Sequence, residues 1–258
     1  MAICAIAVLF FWRRETQPIP VNSPVSPCVQ LRAQMEQMSC SGTVAYDWGE
    51  LAHYQQANSQ IDQIKPGLPR VVFIGDSITL AWPELSTNGF SAGVDTVNRG
   101  ITGQVTAQML LRFRQDVVDL HPRVVVILGG SNDVARVLPP ALPIIEGNLA
   151  SMAQLAKANG IRPVLSSIPP VSDYGHEENG NESKQTKTHS PEQIRELNDW
   201  IKEFANDNGC IFLDYYSAMV DGDGFLKKEY SEDGLHPNAA GYSVMRPLAE
   251  RAIKAALD

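Results

Sequence analysis

The sequence predicts an α/β fold in which a mostly parallel sheet of about five strands lies between helices. Short runs of β-branched residues, such as 123–128 (RVVVIL), are apolar after the opening arginine, as in strands that are buried on both faces. From residue 70 to the end, such runs alternate with longer segments of helical periodicity. This alternation favours parallel strands that are joined through helices packed on the sheet.

Five strands are predicted, each stopped by glycine, proline or polar residues. The first ends at Gly75-Asp76-Ser77, and Pro169-Pro170 stop the fourth. The second is the weakest, because only part of it is apolar. The predicted strands span residues 70–74, 95–98, 123–128, 161–168 and 210–213.

Helices are predicted over residues 103–120, 142–158, 190–208 and 238–257. Their boundaries carry recognised signals: Asn159-Gly160 is a typical C-terminal cap, and Ser190-Pro191 places a capping serine before a proline at the first helical position. The polar segment 171–190 lacks any period, so it is predicted to be a surface loop over the functional site.

Three regions are predicted along the 258 residues: an apolar segment with a proline-rich linker (1–30), a helical extension (31–69) and the main domain (70–258). The first 12 residues are apolar and would span roughly 18 Å as a helix, short of a bilayer core of about 30 Å. They are interpreted either as a truncated signal peptide or as a short membrane-associating tail. Both interpretations favour an exported protein over a cytoplasmic one.

Charge and cysteine spacing exclude several functional classes. The net charge of −8 leaves no basic face for phosphate, so nucleic acid is not an expected partner. No C-x-x-C pair occurs, so neither a zinc ribbon nor a thioredoxin-like site is supported. Cys28 and Cys40 would form a disulfide in an exported protein, and two free thiols are an equally good interpretation.

Residues with catalytic chemistry follow the predicted strands. In parallel sheets, ligands bind at the carboxyl ends of the strands, where Ser77 and Asn132 would lie. A serine nucleophile needs a base, and a histidine held by a carboxylate is the usual one. Asp233 and His236 are spaced to share one turn, with the other imidazole nitrogen facing Ser77. The backbone N–H groups of Ser77 and Gly103 and the Asn132 amide would form an oxyanion hole.

Four segments resemble, in order, the sequence blocks of the SGNH/GDSL hydrolases. They are Gly75-Asp76-Ser77-Ile78-Thr79, Asn98-Arg99-Gly100-Ile101-Thr102-Gly103-Gln104, Gly130-Ser131-Asn132-Asp133 and Asp233-Gly234-Leu235-His236-Pro237. Isoleucine stands at Ile78 where the family name has leucine, with no chemical consequence. Ser77 lacks a G-x-S-x-G elbow, so the α/β-hydrolase fold is not the match.

The resemblance covers about residues 70 to 258 and implies a flavodoxin-like three-layer fold. It also implies ester hydrolysis through an acyl-enzyme, with neither a metal nor an organic cofactor. Short-chain acyl esters, acetylated sugars and lysophospholipids all remain open as substrates. The alternative is a non-catalytic ligand-binding protein on the same fold, against which the intact Ser77, Asp233 and His236 argue.

A second D-x-x-H pair, Asp173 and His176, competes with Asp233 and His236. It lies in the polar segment 171–190, where ordering the backbone would cost entropy with little burial in return. Pro237 and the helix after it would hold the other pair rigidly, as a catalytic imidazole requires. The sequence therefore favours His236 as the base.

Overall fold

In the computed structural model, the described residues form a five-stranded sheet whose strands all run parallel, in the order β2-β1-β3-β4-β5. This confirms the predicted fold class. The structure describes residues 47–61, 67–86, 90, 93–136, 142–175 and 184–258. The strands are β1 (Arg70–Gly75), β2 (Asp95–Gly100), β3 (Val124–Leu128), β4 (Arg162–Ser166) and β5 (Ile211–Leu213).

The central strands β1 and β3 are almost entirely apolar because helices cover both faces of the sheet. Val72 and Ile74 of β1 pack into one hydrophobic cluster, and their neighbours Val71 and Phe73 pack into the other. All four side chains are almost completely buried. Successive strand residues point to opposite faces, so a strand covered on both sides needs apolar residues at every position.

The longer helices build these two clusters. One cluster contains buried residues of α4 (Thr106–Asp116), α6 (Leu142–Ala158) and α8 (Pro191–Asp207), and the other is built mainly on α10 (Ala239–Leu257). The shorter helices are α1 (Gln55–Ser59), α2 (Ser77–Leu80), α3 (Pro83–Ser86), α5 (Ser131–Arg136), α7 (Gln185–Thr188) and α9 (Tyr216–Met219). Single 3₁₀ turns lie at Val118–Leu120 and Lys228–Tyr230.

The strand order creates a switch point beside β1. The chain passes from β1 to β2 on one side and then crosses to β3 on the other, so β1 lies between them. Ligand sites form where such connections diverge at the carboxyl ends of the strands. Ser77 follows β1 and Asn132 follows β3, so both predicted residues lie at this switch point.

Two sequence predictions need correction. The helix predicted from residue 103 begins at Thr106, because Gly103 has a φ of 77° and lies in a loop. The surface loop predicted over 171–190 is wrong at both ends, since Val171, Ser172 and His189 are buried. The apolar side chain of Val171 and the backbone hydrogen bonds of Val171 and Ser172 bury the start of this segment, and residues 185–188 form α7.

The predicted N-terminal regions fall mostly outside the described residues, which exclude 1–46 and 62–66. Cys28 and Cys40 therefore lie outside them, and the region boundaries remain predictions. The described part of the extension, Asp47–Ile61, contains α1 and packs against α4. Across the described ranges, none of the helices has the length and apolar character needed to cross a bilayer.

Candidate active site

Ser77 is the first residue of α2, directly after β1. The Asp76 carboxylate accepts a hydrogen bond from the Ile78 N–H at 2.9 Å, so Asp76 caps this short helix. The Tyr242 hydroxyl donates to the Ile78 carbonyl at 2.8 Å and ties α2 to α10. Gly75 allows the tight turn, because a Cβ there would lie 2.1 Å from Thr79 Oγ1. The serine hydroxyl is thus held at the strand's carboxyl end.

His236 and Asp233 meet Ser77 in one hydrogen-bonded row. Ser77 Oγ lies 3.0 Å from His236 Nε2, and His236 Nδ1 lies 2.6 Å from Asp233 Oδ2. The second carboxylate oxygen, Oδ1, accepts the N–H groups of Leu235 and His236 at 2.9 and 2.8 Å. The turn therefore fixes the carboxylate, and the carboxylate fixes the imidazole. This row has the geometry of a nucleophile, a general base and an orienting acid.

The aspartate and the histidine shift each other's protonation. Hydrogen bonding to Asp233 raises the pKa of His236 above its usual 6.5, although partial burial opposes this. Burial acts to raise the pKa of Asp233, but the hydrogen bonds from the His236 ring and from the turn N–H groups outweigh it. The pKa of Asp233 is consequently held well below its usual range. The protonated form of His236 is therefore more stable beside Asp233 than it would be in an isolated histidine.

Helix α5 holds the loop that carries Gly103. Asn132 Nδ2 donates to the Gln104 carbonyl at 3.2 Å, and Arg136 Nη1 donates to the Gly103 carbonyl at 2.9 Å. Asp133 accepts from both the N–H and the hydroxyl of Thr106. Three side chains of one helix therefore clamp this loop beside Ser77. The structure brings Asn132 and the Gly103 loop together, as an oxyanion hole requires.

Asp76 links the serine turn to this clamp. Its carboxylate is almost fully buried and lies 3.5 Å from Asn132 Nδ2. Burial raises the pKa of Asp76 to about 6, although the Ile78 N–H and the charge of His236 act to lower it. The carboxyl group thus accepts the hydrogen bond that holds α2, and its contact with Asn132 is long.

The rival Asp173 is engaged elsewhere. Its carboxylate accepts hydrogen bonds from the Thr186 N–H at 2.9 Å and the Thr186 hydroxyl at 2.6 Å. His176 lies outside the described residues. The segment around Asp173 nevertheless contacts the histidine turn, since the Ser172 N–H donates to the Gly234 carbonyl at 2.9 Å. Apart from the apolar Val171, no sequence pattern predicts this contact.

An open groove of 860 Å³ begins at His236 and Asp233. Tyr174 supplies its aromatic wall, and the ring stands edge-on to Phe225 at 6.1 Å between centroids. Most of the other side chains that line the groove are charged or polar: Lys228, Glu229, Ser231, Glu232 and Asn238. Sequence patterns did not single out these residues, because they lie in loops that only the fold brings together. Within the described ranges, no cluster of histidine, cysteine or acidic side chains is arranged to hold a metal ion.

Comparison with known proteins agrees with this geometry. Residues 73–244 match the GDSL-like Lipase/Acylhydrolase family. Esterase TesA of Pseudomonas aeruginosa is 28% identical over 185 residues, covering 66% of this chain and 80% of TesA. An arylesterase of Vibrio mimicus is 30% identical over 118 residues, covering 41% of this chain and 58% of that protein. A GDSL-like lipase from Bacteroides thetaiotaomicron with a known crystal structure has 36% sequence identity to this chain. The two structures superpose with a TM-score of 0.69 over 81% of this chain and 98% of the lipase chain.

The fold and the family together define a carboxylic ester hydrolase. The family match extends over more than half of the chain and includes all four motif segments. The chain therefore belongs to the GDSL-like lipase/acylhydrolase family.

Proposed function

We propose that Ser77, His236 and Asp233 hydrolyse a carboxylic ester through an acyl-enzyme. The 3.0 Å contact between Ser77 Oγ and His236 Nε2 carries this proposal. His236 takes the proton of Ser77 as Oγ bonds to the ester carbonyl carbon, and Asp233 stabilises the imidazolium. His236 then gives this proton to the departing alcohol. A water molecule releases the acid by the same steps, and Ser77 regains its proton.

The charge that develops on the carbonyl oxygen needs donors already in place. We assign this role to the N–H groups of Ser77 and Gly103 and to the Asn132 amide. The support is that α5 holds Asn132 and the Gly103 loop against each other, with the Asn132 amide 3.2 Å from the Gln104 carbonyl.

The groove favours a polar alcohol group in the substrate. Its charged side chains, with one aromatic wall at Tyr174, suit hydroxyl-rich groups and would leave a long alkyl chain unburied. An acylated sugar or another short-chain ester of a polar alcohol is therefore the substrate class that we favour over a lysophospholipid.

The test compares the parent protein with Ser77→Ala on p-nitrophenyl acetate. We expect the parent to hydrolyse this ester and the variant to lose nearly all activity, because the nucleophile is gone while the packing is unchanged. An organophosphonate should label Ser77 in the parent. Labelling of another serine, or variant activity within about tenfold of the parent, would overturn the assignment.

A further inference from the structure

A buried arginine joins the serine turn to the Gly103 loop. Arg112 of α4 is completely buried, and its Nη2 donates to the Gly75 carbonyl at 3.1 Å, two residues before Ser77. Its Nε donates to Gln104 Oε1 at 2.6 Å, one residue after Gly103. Nη1 completes the set by donating to Asp116 at 3.0 Å. A buried cation is stable only when such partners surround it, so these contacts are mutually dependent.

The next link in this network comes from the extension Asp47–Ile61. Gln104 is buried, and its amide nitrogen donates to Glu50 Oε2 at 2.8 Å and to the Gly49 carbonyl at 3.4 Å. Glu50 has a φ of 54°, which residues other than glycine rarely adopt. The extension therefore orients the Gln104 side chain from outside the sheet.

A second contact reaches the other end of the same loop. The Tyr54 hydroxyl donates to the Gly100 carbonyl, and the Arg99 guanidinium lies over the Tyr54 ring at 4.6 Å. Arg99 Nε donates to Asn58 Oδ1 at 2.9 Å, and Asn58 Nδ2 donates to Asp116 at 2.7 Å. The extension thus contacts residues 100 and 104, which bracket Gly103.

The family match begins at residue 73, so this extension lies outside it. Its polar contacts nonetheless converge on the loop that would donate to the oxyanion. Gly103 has a positive φ and no side chain, so its own residue gives the loop little rigidity. Donors to a developing charge must be held in place before the reaction, and neighbouring contacts must supply this rigidity here.

We propose that the extension Asp47–Ile61 positions the Gly103 loop, with Glu50 and Tyr54 as the positioning residues. This inference rests on the proposed function, because it assumes that Gly103 donates to the oxyanion. The extension would then affect turnover without contacting the substrate.

The test uses Glu50→Ala combined with Tyr54→Phe in the full-length chain, assayed on p-nitrophenyl acetate. We expect kcat to fall roughly ten- to a hundredfold, the loss that follows a small misplacement of catalytic groups. KM should stay within about twofold, because the lost rigidity matters most in the transition state. Organophosphonate should still label Ser77 to the parent's final stoichiometry, since the nucleophile is intact.

Two further variants separate positioning from stability. Gln115→Ala is the matched control, because Gln115 donates to the Leu51 carbonyl of the extension but does not contact the loop. It should lower the melting temperature, because it also removes a contact of the extension, while keeping the parent's kcat. Glu50→Gln retains an oxygen acceptor for Gln104, so alone it should keep most of the parent's kcat.

The outcomes are distinguishable. If the parent hydrolyses the ester through Ser77 and the double variant has the kcat of Gln115→Ala, the positioning role is overturned and the proposed function stands. A kcat loss that follows melting temperature across all variants also overturns it. If the parent shows no Ser77-dependent hydrolysis, the proposed function fails first and this inference fails with it.

Discussion

At the scale of single residues, Asn132 shows how the resting site is prepared for charge. Its amide donates to the Gln104 carbonyl at 3.2 Å, while its contact with Asp76 is long, at 3.5 Å. A long hydrogen bond is weak, so in the proposed role the Asn132 amide would give up this contact with Asp76 to donate to the oxyanion. The Asn132 amide is thus held by the Gln104 carbonyl, while its contact with Asp76 can be exchanged.

We therefore expect Asn132→Ala to lower kcat by roughly a hundred- to a thousandfold, the usual loss for one oxyanion donor. KM should change little, because the contact strengthens only in the transition state. Steady-state kinetics on p-nitrophenyl acetate measure both. Asn148→Ala is the control, since Asn148 donates to the Thr106 hydroxyl at the far side of the clamp. A raised KM with unchanged kcat would assign Asn132 to ground-state binding instead.

A second residue-scale prediction follows from the protonation of His236. As the proposed general base, His236 must be neutral to act, and Asp233 raises its pKa above 6.5. The activity should therefore fall as the pH drops through a value above 6.5. In Asp233→Asn the interaction that raises the pKa of His236 is lost. The fall in activity should therefore occur at a lower pH. The kcat should also fall, by up to about 10⁴-fold, because the tautomer is no longer held.

The measurement is kcat/KM from about pH 5 to 9 for both proteins, since this ratio reports the free enzyme. An acidic limb at the same pH in the parent and in Asp233→Asn would contradict the coupling between the two residues. It would mean that another group controls the protonation of His236.

At the scale of elements, the histidine turn depends on a neighbouring segment. A Cβ on Gly175 would lie 2.2 Å from the Glu232 carbonyl, so residues 171–175 pack directly on the turn that carries Asp233 and His236. The Ser172 N–H bonds to the Gly234 carbonyl and completes this contact. This packing holds residues 171–175 in place although they show no sequence period, because their partners are distant in the chain.

We expect Gly175→Ala to push the two segments apart and to lower the free energy of unfolding by about 1–3 kcal/mol, as overpacking does. It should also lower kcat, because the turn carries the base. Gly222→Ala is the matched control, since a Cβ there meets nothing within 4 Å. Urea unfolding and ester hydrolysis test both variants. Equal stability and activity in the two would show that the turn keeps its geometry without this contact.

At the scale of the whole molecule, the sheet order brings distant segments to one edge. Because β1 lies between β2 and β3, the residues after these three strands become neighbours: Ser77, Gly103 and Asn132. Asp233 and His236 lie in the segment directly before α10. This helix packs against β3, β4 and β5. Three hydrogen-bonded side chains therefore join positions that are up to 159 residues apart in the sequence, from Ser77 to His236.

The sequence by itself determined the fold class, the positions of the five strands and the row of Ser77, His236 and Asp233. The physical reason is that central strands buried on both faces, such as β1 and β3, are apolar at nearly every position. Short motifs such as Asp233-Gly234-Leu235-His236 also define their own turn. Hydrophobic periodicity did not predict helix α5 or the buried residues at the ends of segment 171–190, because neither segment shows an amphipathic pattern.

Only the tertiary structure decided which side chains support that row. The contacts of Arg112, Arg136 and Glu50 with the Gly103 loop join elements that are distant in sequence. Each of these side chains is an ordinary charged residue in its local pattern, and a charge in a helix or loop normally indicates a solvated face. Arg112 is buried where α4 packs against β1 and α6, so its role follows from long-range contacts that no local pattern encodes.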